Sequence, residues 1–184
     1  MKKIFITNGS GTNGKDSFAK AVAKYIPTYK YSSINLVKDM LKVADISEES
    51  KTEEYRLLCS DLKDRLTKYD DVPFKDISSI VKDFKDNLIE TKVLFVDIRE
   101  PEEIARAVEV FGAETVLIRN PNAKKIKSNH ADRDVENYTY DYIIENDGNL
   151  EQLERVAKLF VCDVICKNCI PDESKPFTLT CSKY

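Results

Sequence analysis

The segment Lys3-Ile4-Phe5-Ile6-Thr7 runs almost directly into Gly9-Ser10-Gly11-Thr12-Asn13-Gly14-Lys15-Asp16-Ser17. Gly9, four residues, Gly14 and Lys15 satisfy the G-x-x-x-x-G-K core of a P-loop. Such a loop needs glycines so that its backbone can wrap and turn several N–H groups onto one anion. The helix that follows adds its positive end. Gly11, Thr12 and Asn13 lie inside the loop, and Lys15 is placed to reach the outer phosphates. One position departs from the pattern: Asp16 stands where Ser or Thr normally ligates Mg²⁺. A glycine-rich turn before a chance lysine is the alternative, and the strand before and helix after argue against it. The motif implies binding of a nucleoside triphosphate, and it fixes the first unit of the fold as strand–loop–helix.

The rest of the chain continues that alternation. Phe18, Ala21, Val22 and Tyr25 share a helical face that Pro27 closes. A weak extended piece at 29–33 leads to a helix over 34–43. Tyr55, Leu58, Leu62, Leu66 and Tyr69 mark a longer helix, and Pro73 starts another carrying Ile77, Ile80, Val81, Phe84 and Leu88. Val93-Leu94-Phe95-Val96 is a continuous apolar run, the signature of a strand buried on both faces. Pro101 opens a helix with Ile104, Ala107, Val108 and Phe111 on its buried face, and Gly112 stops it. Strands follow at 115–118 and 142–144, and Asn149 with Gln152 forms a capping box for a last helix. This order predicts an α/β fold with a doubly wound, five-stranded parallel sheet and the site at the strands' carboxyl ends.

At 184 residues the expectation is a single domain, 1–184, with a sizeable core. A net charge of −3 and the absence of a basic run argue against a nucleic-acid polymer as partner. No apolar stretch approaches the roughly 18 residues that cross a membrane. The first strand begins at once, leaving no room for a leader peptide. With five cysteines, this points to reduced thiols and a cytoplasmic location.

Beyond the loop, three groups of residues bear on chemistry. Asp97 ends the apolar run at 93–96, and a P-loop's usual partner is a carboxylate in that place, beside bound Mg²⁺. A strand-end cap is the plain alternative. Arg99, two residues on, projects from the same edge with a planar fork suited to phosphate, unless it pairs on the surface with Glu100 or Glu103. The polar stretch 119–137 holds five basic residues, including Arg119 and Arg133, with the sole histidine, His130, and three acids. Cations that close over the P-loop serve phosphoryl transfer and exclude water; a solvated charged loop is the competing reading. The tail, 163–184, follows Cys162 and carries Cys166, Cys169 and Cys181. Their irregular spacing favours incidental thiols over a zinc or redox staple.

Gly14-Lys15-Asp16-Ser17 after a first strand, Asp97-x-Arg99 at the end of the third, and Tyr142-Ile-Ile-Glu-Asn-Asp-Gly-Asn-Leu-Glu after an acidic segment resemble two kinase groups. They are the phage deoxynucleoside monophosphate kinases and the animal-type phosphomevalonate kinases, which share the nucleoside monophosphate kinase fold and carry G-K-D. The likeness runs from the first strand to about Phe160. The region 47–69, where substrate selection would occur, carries no matching motif. The resemblance implies a P-loop NTPase fold with a helical substrate-side insertion and a lid at 119–137, using ATP and Mg²⁺. It implies that Lys15 holds the β- and γ-phosphates, Ser17 the α-phosphate, and that Asp16 helps hold Mg²⁺ directly or through water. It places Asp97 near Mg²⁺ or the acceptor, Arg99 on the acceptor phosphate with Lys38 in reach, Arg119 near adenine, and Arg133 on the phosphates.

These readings lead to an enzyme that transfers the ATP γ-phosphoryl to a small phosphorylated acceptor, foremost a nucleoside or deoxynucleoside monophosphate, as monomer or homodimer. Phosphomevalonate or dephospho-coenzyme A as acceptor would share the mechanism. A nucleotide-binding or sensing module without transferase activity is the alternative, because a carboxylate at Asp16 costs electrostatic energy beside a triphosphate unless the metal offsets it.

Overall fold

A computed structural model describes residues 2–9, 12–46, 52–123, 135–166 and 179–181, with Glu136 and 179–181 as backbone alone. Five strands form the parallel part of one sheet: β1 (Lys3–Asn8), β2 (Thr28–Ser32), β3 (Val93–Asp97), β4 (Glu114–Arg119) and β5 (Tyr142–Glu145). A sixth, β6 (Leu179–Cys181), pairs antiparallel with β5, giving the order β2-β3-β1-β4-β5-β6. This edge strand extends the five-stranded expectation, and it was hidden because three tail residues carry no periodicity of their own.

The register sets the two faces. Phe5 lies opposite Phe95, and Phe95 opposite Lys30, so alternation puts Thr7, Asp97 and Ser32 one step further along that same face. Helices α1 (Lys15–Ala23) and α6 (Leu150–Phe160) cover it, burying Phe18, Val22, Val156 and Phe160 against Phe5 and Phe95. The opposite face carries Ile4, Ile6, Leu94 and Val96. It is covered by α4 (Val72–Lys85) and α5 (Pro101–Phe111). The sheet is therefore doubly wound, and with the loop after β1 it is a P-loop NTPase fold. Between β3 and β4 the chain crosses over β1, so the carboxyl ends of β1, β3 and β4 flank one crevice.

Between β2 and β3 lie α2 (Asn35–Val43), α3 (Glu53–Asp70) and α4. Asp71, at φ 52°, breaks α3 from α4, and Pro73 sits in the first turn of the new helix, where its missing N–H costs nothing. Helix α4 ends at Lys85, so Leu88 falls beyond it and is exposed. Tyr25 likewise lies past the end of α1 and takes Glu154 as a surface partner. Gly112 closes α5 in the left-handed region at φ 66°. The capping box of α6 is complete: the Gln152 backbone N–H donates to Asn149 Oδ1 at 2.9 Å, and the Asn149 N–H donates to Gln152 Oε1 at 2.8 Å. A π-helical turn, Val161–Cys166, follows α6 and contains Cys162. None of the described helices is long and apolar enough to cross a membrane.

Candidate phosphate-binding site

The loop between β1 and α1 is held from three sides. Gly9 and Gly14 have φ of 152° and 95°, and Thr12 also has a positive φ, 73°. A Cβ on Gly14 would strike the Asn146 amide, and one on Gly9 would strike the Ile118 carbonyl. Those close approaches explain the two glycines as much as their dihedrals do. The Asn146 side chain, just past β5, donates to the Asn13 carbonyl at 2.9 Å, and Asn13 Nδ2 donates to the Ile118 carbonyl at 3.2 Å. The loop is thus fastened to the ends of β4 and β5. Gly14 is the N-cap of helix α1 and supplies no side-chain cap, the arrangement in which first-turn N–H groups serve an anion. Lys15 turns back along the loop, and its Nζ donates to the Gly9 carbonyl at 2.6 Å.

Asp97, at the tip of β3, is nearly buried. It accepts from Thr7 Oγ1 through Oδ1 and from Lys30 Nζ through Oδ2 at 2.5 Å. The same ammonium lies 2.7 Å from Asp16 Oδ1. Lys30 therefore joins the carboxylate in the P-loop to the carboxylate at the strand end. Burial alone would push its ammonium towards deprotonation, but Asp97 and Asp16 outweigh it and hold its pKa above the ordinary lysine value. It carries its charge across the physiological range. Asp97 is thus more than a backbone cap.

These two carboxylates offer hard oxygen donors converging on one cation position, which suits Mg²⁺. That ion usually takes one or two protein carboxylates and fills its octahedron with water and substrate phosphate. Among the described residues no group of three or more His, Cys, Asp or Glu forms a metal cluster.

Around the rim, Asn8 Nδ2 donates to the Arg99 carbonyl at 3.1 Å and to Tyr140 Oη at 2.7 Å, tying the end of β1 to the segment after β3. Tyr140 in turn donates to the Val135 carbonyl at 2.7 Å. Arg99 is half-buried beside this network. Glu100 and Glu103, at the start of α5, converge on Lys63 of α3 at 2.8 Å each. Burial pushes both carboxyls up. Lys63 draws Glu100 below the ordinary value, while Glu103, facing Glu100 as well, stays above it. Lys38 lies one turn into α2, just past β2, and the Ser33 N–H before that helix donates to the Asp97 carbonyl at 3.1 Å. Arg119, at the end of β4, forks onto the Glu145 carboxylate at the end of β5, with Nε 3.0 and 3.2 Å from its oxygens.

Thr12, Asn13, Gly14, Lys15, Asp16, Ser17, Asp97 and Arg99 are thus gathered at one end of the sheet, with Arg119 beyond Asn146 and Lys38 on the β2 side. Gly11, His130, Arg133 and Cys169 lie outside the described residues, as does the lid sequence from 124 to 134, and of Cys181 only the backbone is described. Sequence reasoning missed Lys30, Lys63, Asn8 and Asn146. The signal for Lys30 was its alternation with Ser32, but that parity means something only once β2 is known to pair with β3.

No protein-family model and no curated protein matches the chain. Among solved structures, the shikimate kinase of Aquifex aeolicus vf5 aligns over 86% of this chain and 95% of its own, at 16% identity and a TM-score of 0.44. A Thermus thermophilus protein designated TT1252 aligns over 89% of this chain and 98% of its own, again at 16% identity, with a TM-score of 0.42. Likeness at that level leaves the function to the geometry.

Proposed function

We propose that the protein is an ATP-dependent phosphotransferase acting on a small phosphorylated acceptor, foremost a nucleoside or deoxynucleoside monophosphate. The observation that carries this reading is the convergence of the P-loop with Asp97 at one sheet edge, with Arg99 on the segment tied to Asn8. In the reaction the acceptor oxygen attacks the γ-phosphorus, a P–O bond forms, the bond to the β–γ bridging oxygen breaks, and ADP leaves. No protein nucleophile is needed; positioning and charge neutralisation supply the rate.

Lys15 and the loop N–H groups hold the β- and γ-phosphates, and Ser17 the α-phosphate. Asp16 and Asp97 are the residues that would hold Mg²⁺, which when bound neutralises charge on the phosphate oxygens. Arg99, with Lys38, binds the acceptor phosphate. Arg119, held by Glu145, borders the adenine. By the family resemblance, the segment 119–137 would take the part of a lid and Arg133 would reach the phosphates. Phosphomevalonate-type and coenzyme-precursor acceptors fit the same machinery. The sensing module is the less favoured reading, because a sensor needs no acceptor-phosphate site of the kind Arg99 would supply.

A coupled ADP-release screen across nucleoside monophosphates, phosphomevalonate and dephospho-coenzyme A tests the reading. Acceptor-dependent ADP release with one of them is the expected result. Saturable ATP binding with no release for any acceptor would instead favour the sensor. In an active enzyme, Asp16→Asn should raise the Mg²⁺ requirement, and an unchanged Mg²⁺ titration would remove Asp16 from the metal.

A further inference from the structure

Lys30 comes from β2, outside every motif of the chain, yet its ammonium occupies the one position that Asp16 and Asp97 share, 2.7 and 2.5 Å from their oxygens. The arrangement is asymmetric. Asp97 is about one-tenth exposed and is fixed further by Thr7, whereas Asp16 is 76% exposed at the start of α1. The Lys30 side chain is itself three-quarters covered, with its ammonium turned onto the two carboxylates.

A divalent ion bound by the same two oxygens needs them at about 2.0–2.1 Å, so each closes in by only about half an ångström. An ammonium cannot stay where such an ion sits. We infer that Lys30 is an internal counter-ion that competes with the divalent metal for Asp16 and Asp97. This rests on the reading of those carboxylates as the metal-facing pair of a P-loop enzyme, and it adds a residue to that site. The competition accounts for the tolerance of an aspartate in place of Ser or Thr. A hydroxyl needs no counter-ion, whereas a second carboxylate beside Asp97 does, because like charges a few ångströms apart repel. A lysine on a flexible four-carbon stem can supply that charge and withdraw it, which a fixed arginine fork does less well.

The test uses the full chain and Mn²⁺ alone as probe, with unbound Mn²⁺ counted by electron paramagnetic resonance and melting followed in parallel. Lys30→Met keeps the bulk of the stem, and Lys30→Gln keeps a hydrogen-bond donor; either one that folds suffices. Removing a cation at contact distance should tighten Mn²⁺ binding at least about tenfold. Mn²⁺ should also raise the melting temperature of the variant more than that of the wild type. Adding Asp16→Asn to the Lys30 variant should abolish the gain. Equal Mn²⁺ affinity in wild type and Lys30 variants would overturn the inference, and so would tightening that survives Asp16→Asn. The readout needs no turnover. A sensing protein with the same exchange would show the metal effect without ADP release, and a kinase lacking it would show release without the metal effect.

Discussion

Beneath the P-loop, Phe160 packs with its ring centroid 5.1 Å from that of Phe5, 5.4 Å from Phe18 and 6.5 Å from Phe95. Beneath α2 and α3, the buried cluster is Val37, Leu41 and Cys59, and Met40, Val43, Leu57 and Leu58 remain exposed. The P-loop is seated on a core of large rings; α2 and α3 are held by that small cluster, by Ile34, Tyr55, Leu62 and Leu66 packed against it, and by the ion pairs of buried Lys63 with Glu100 and Glu103. The contrast teaches which contacts set which property. Aromatic packing fixes the P-loop, while ion pairs across α3 and α5 help to fix the helices between β2 and β3. Polar contacts are also the easier to retune, since each depends on one or two side chains.

The largest stability loss is expected from Phe160→Ala, about 3–5 kcal/mol, because Phe5, Phe18, Phe95 and Tyr142 lose a common neighbour. Chemical denaturation measures it, and a loss under about 1 kcal/mol would mean that the aromatic core is not the support of the loop. Lys63→Met should cost about 2–3 kcal/mol, since it leaves two half-buried carboxylates facing each other without their cation. Burial lowers the Lys63 pKa, but Glu100 and Glu103 outweigh it and raise it above its ordinary 10.5. Its contribution is therefore complete below that pH and is lost as pH rises beyond it. The wild-type and Lys63→Met stabilities should run parallel near neutrality and converge in strong alkali. A gap that persists at high pH would assign the loss to packing of the lysine stem.

Arg99→Ala should raise the acceptor KM by about tenfold or more and the ATP KM far less, because a phosphate fork is lost on one side of the crevice. Equal changes in both would place Arg99 on the nucleotide instead. Smallest of all, Leu57→Lys on exposed α3 should move stability by no more than about 0.5 kcal/mol. A larger loss would reveal a partner for that face.

The same contrast governs what the sequence disclosed. The P-loop, Asp97, Gly112 and the Asn149–Gln152 box are local: each announces itself within a few residues, and each stands where its local pattern put it. The apolar run at 93–96 needed no partner to be read as a buried strand. Lys30 and Lys63 are non-local. Lys63 meets Glu100 and Glu103 across 37 and 40 residues, and Lys30 meets Asp97 across 67. A lysine in a helix or strand looks like solvated surface until topology brings carboxylates to it. Strand β6 was hidden for the same reason, since three residues become a strand only by pairing with Tyr142, Ile143 and Ile144.

If the P-loop lysine works on a nucleotide whose phosphoryl is transferred, its removal must cripple turnover. The most direct test is ADP release by wild type and Lys15→Ala with the acceptor that the screen identifies, alongside ATP binding by calorimetry. Turnover should fall on the order of a thousandfold, with weakened ATP binding, because the loop loses its side-chain cation on the outer phosphates. Near-wild-type ADP release by Lys15→Ala would take the P-loop lysine out of the reaction.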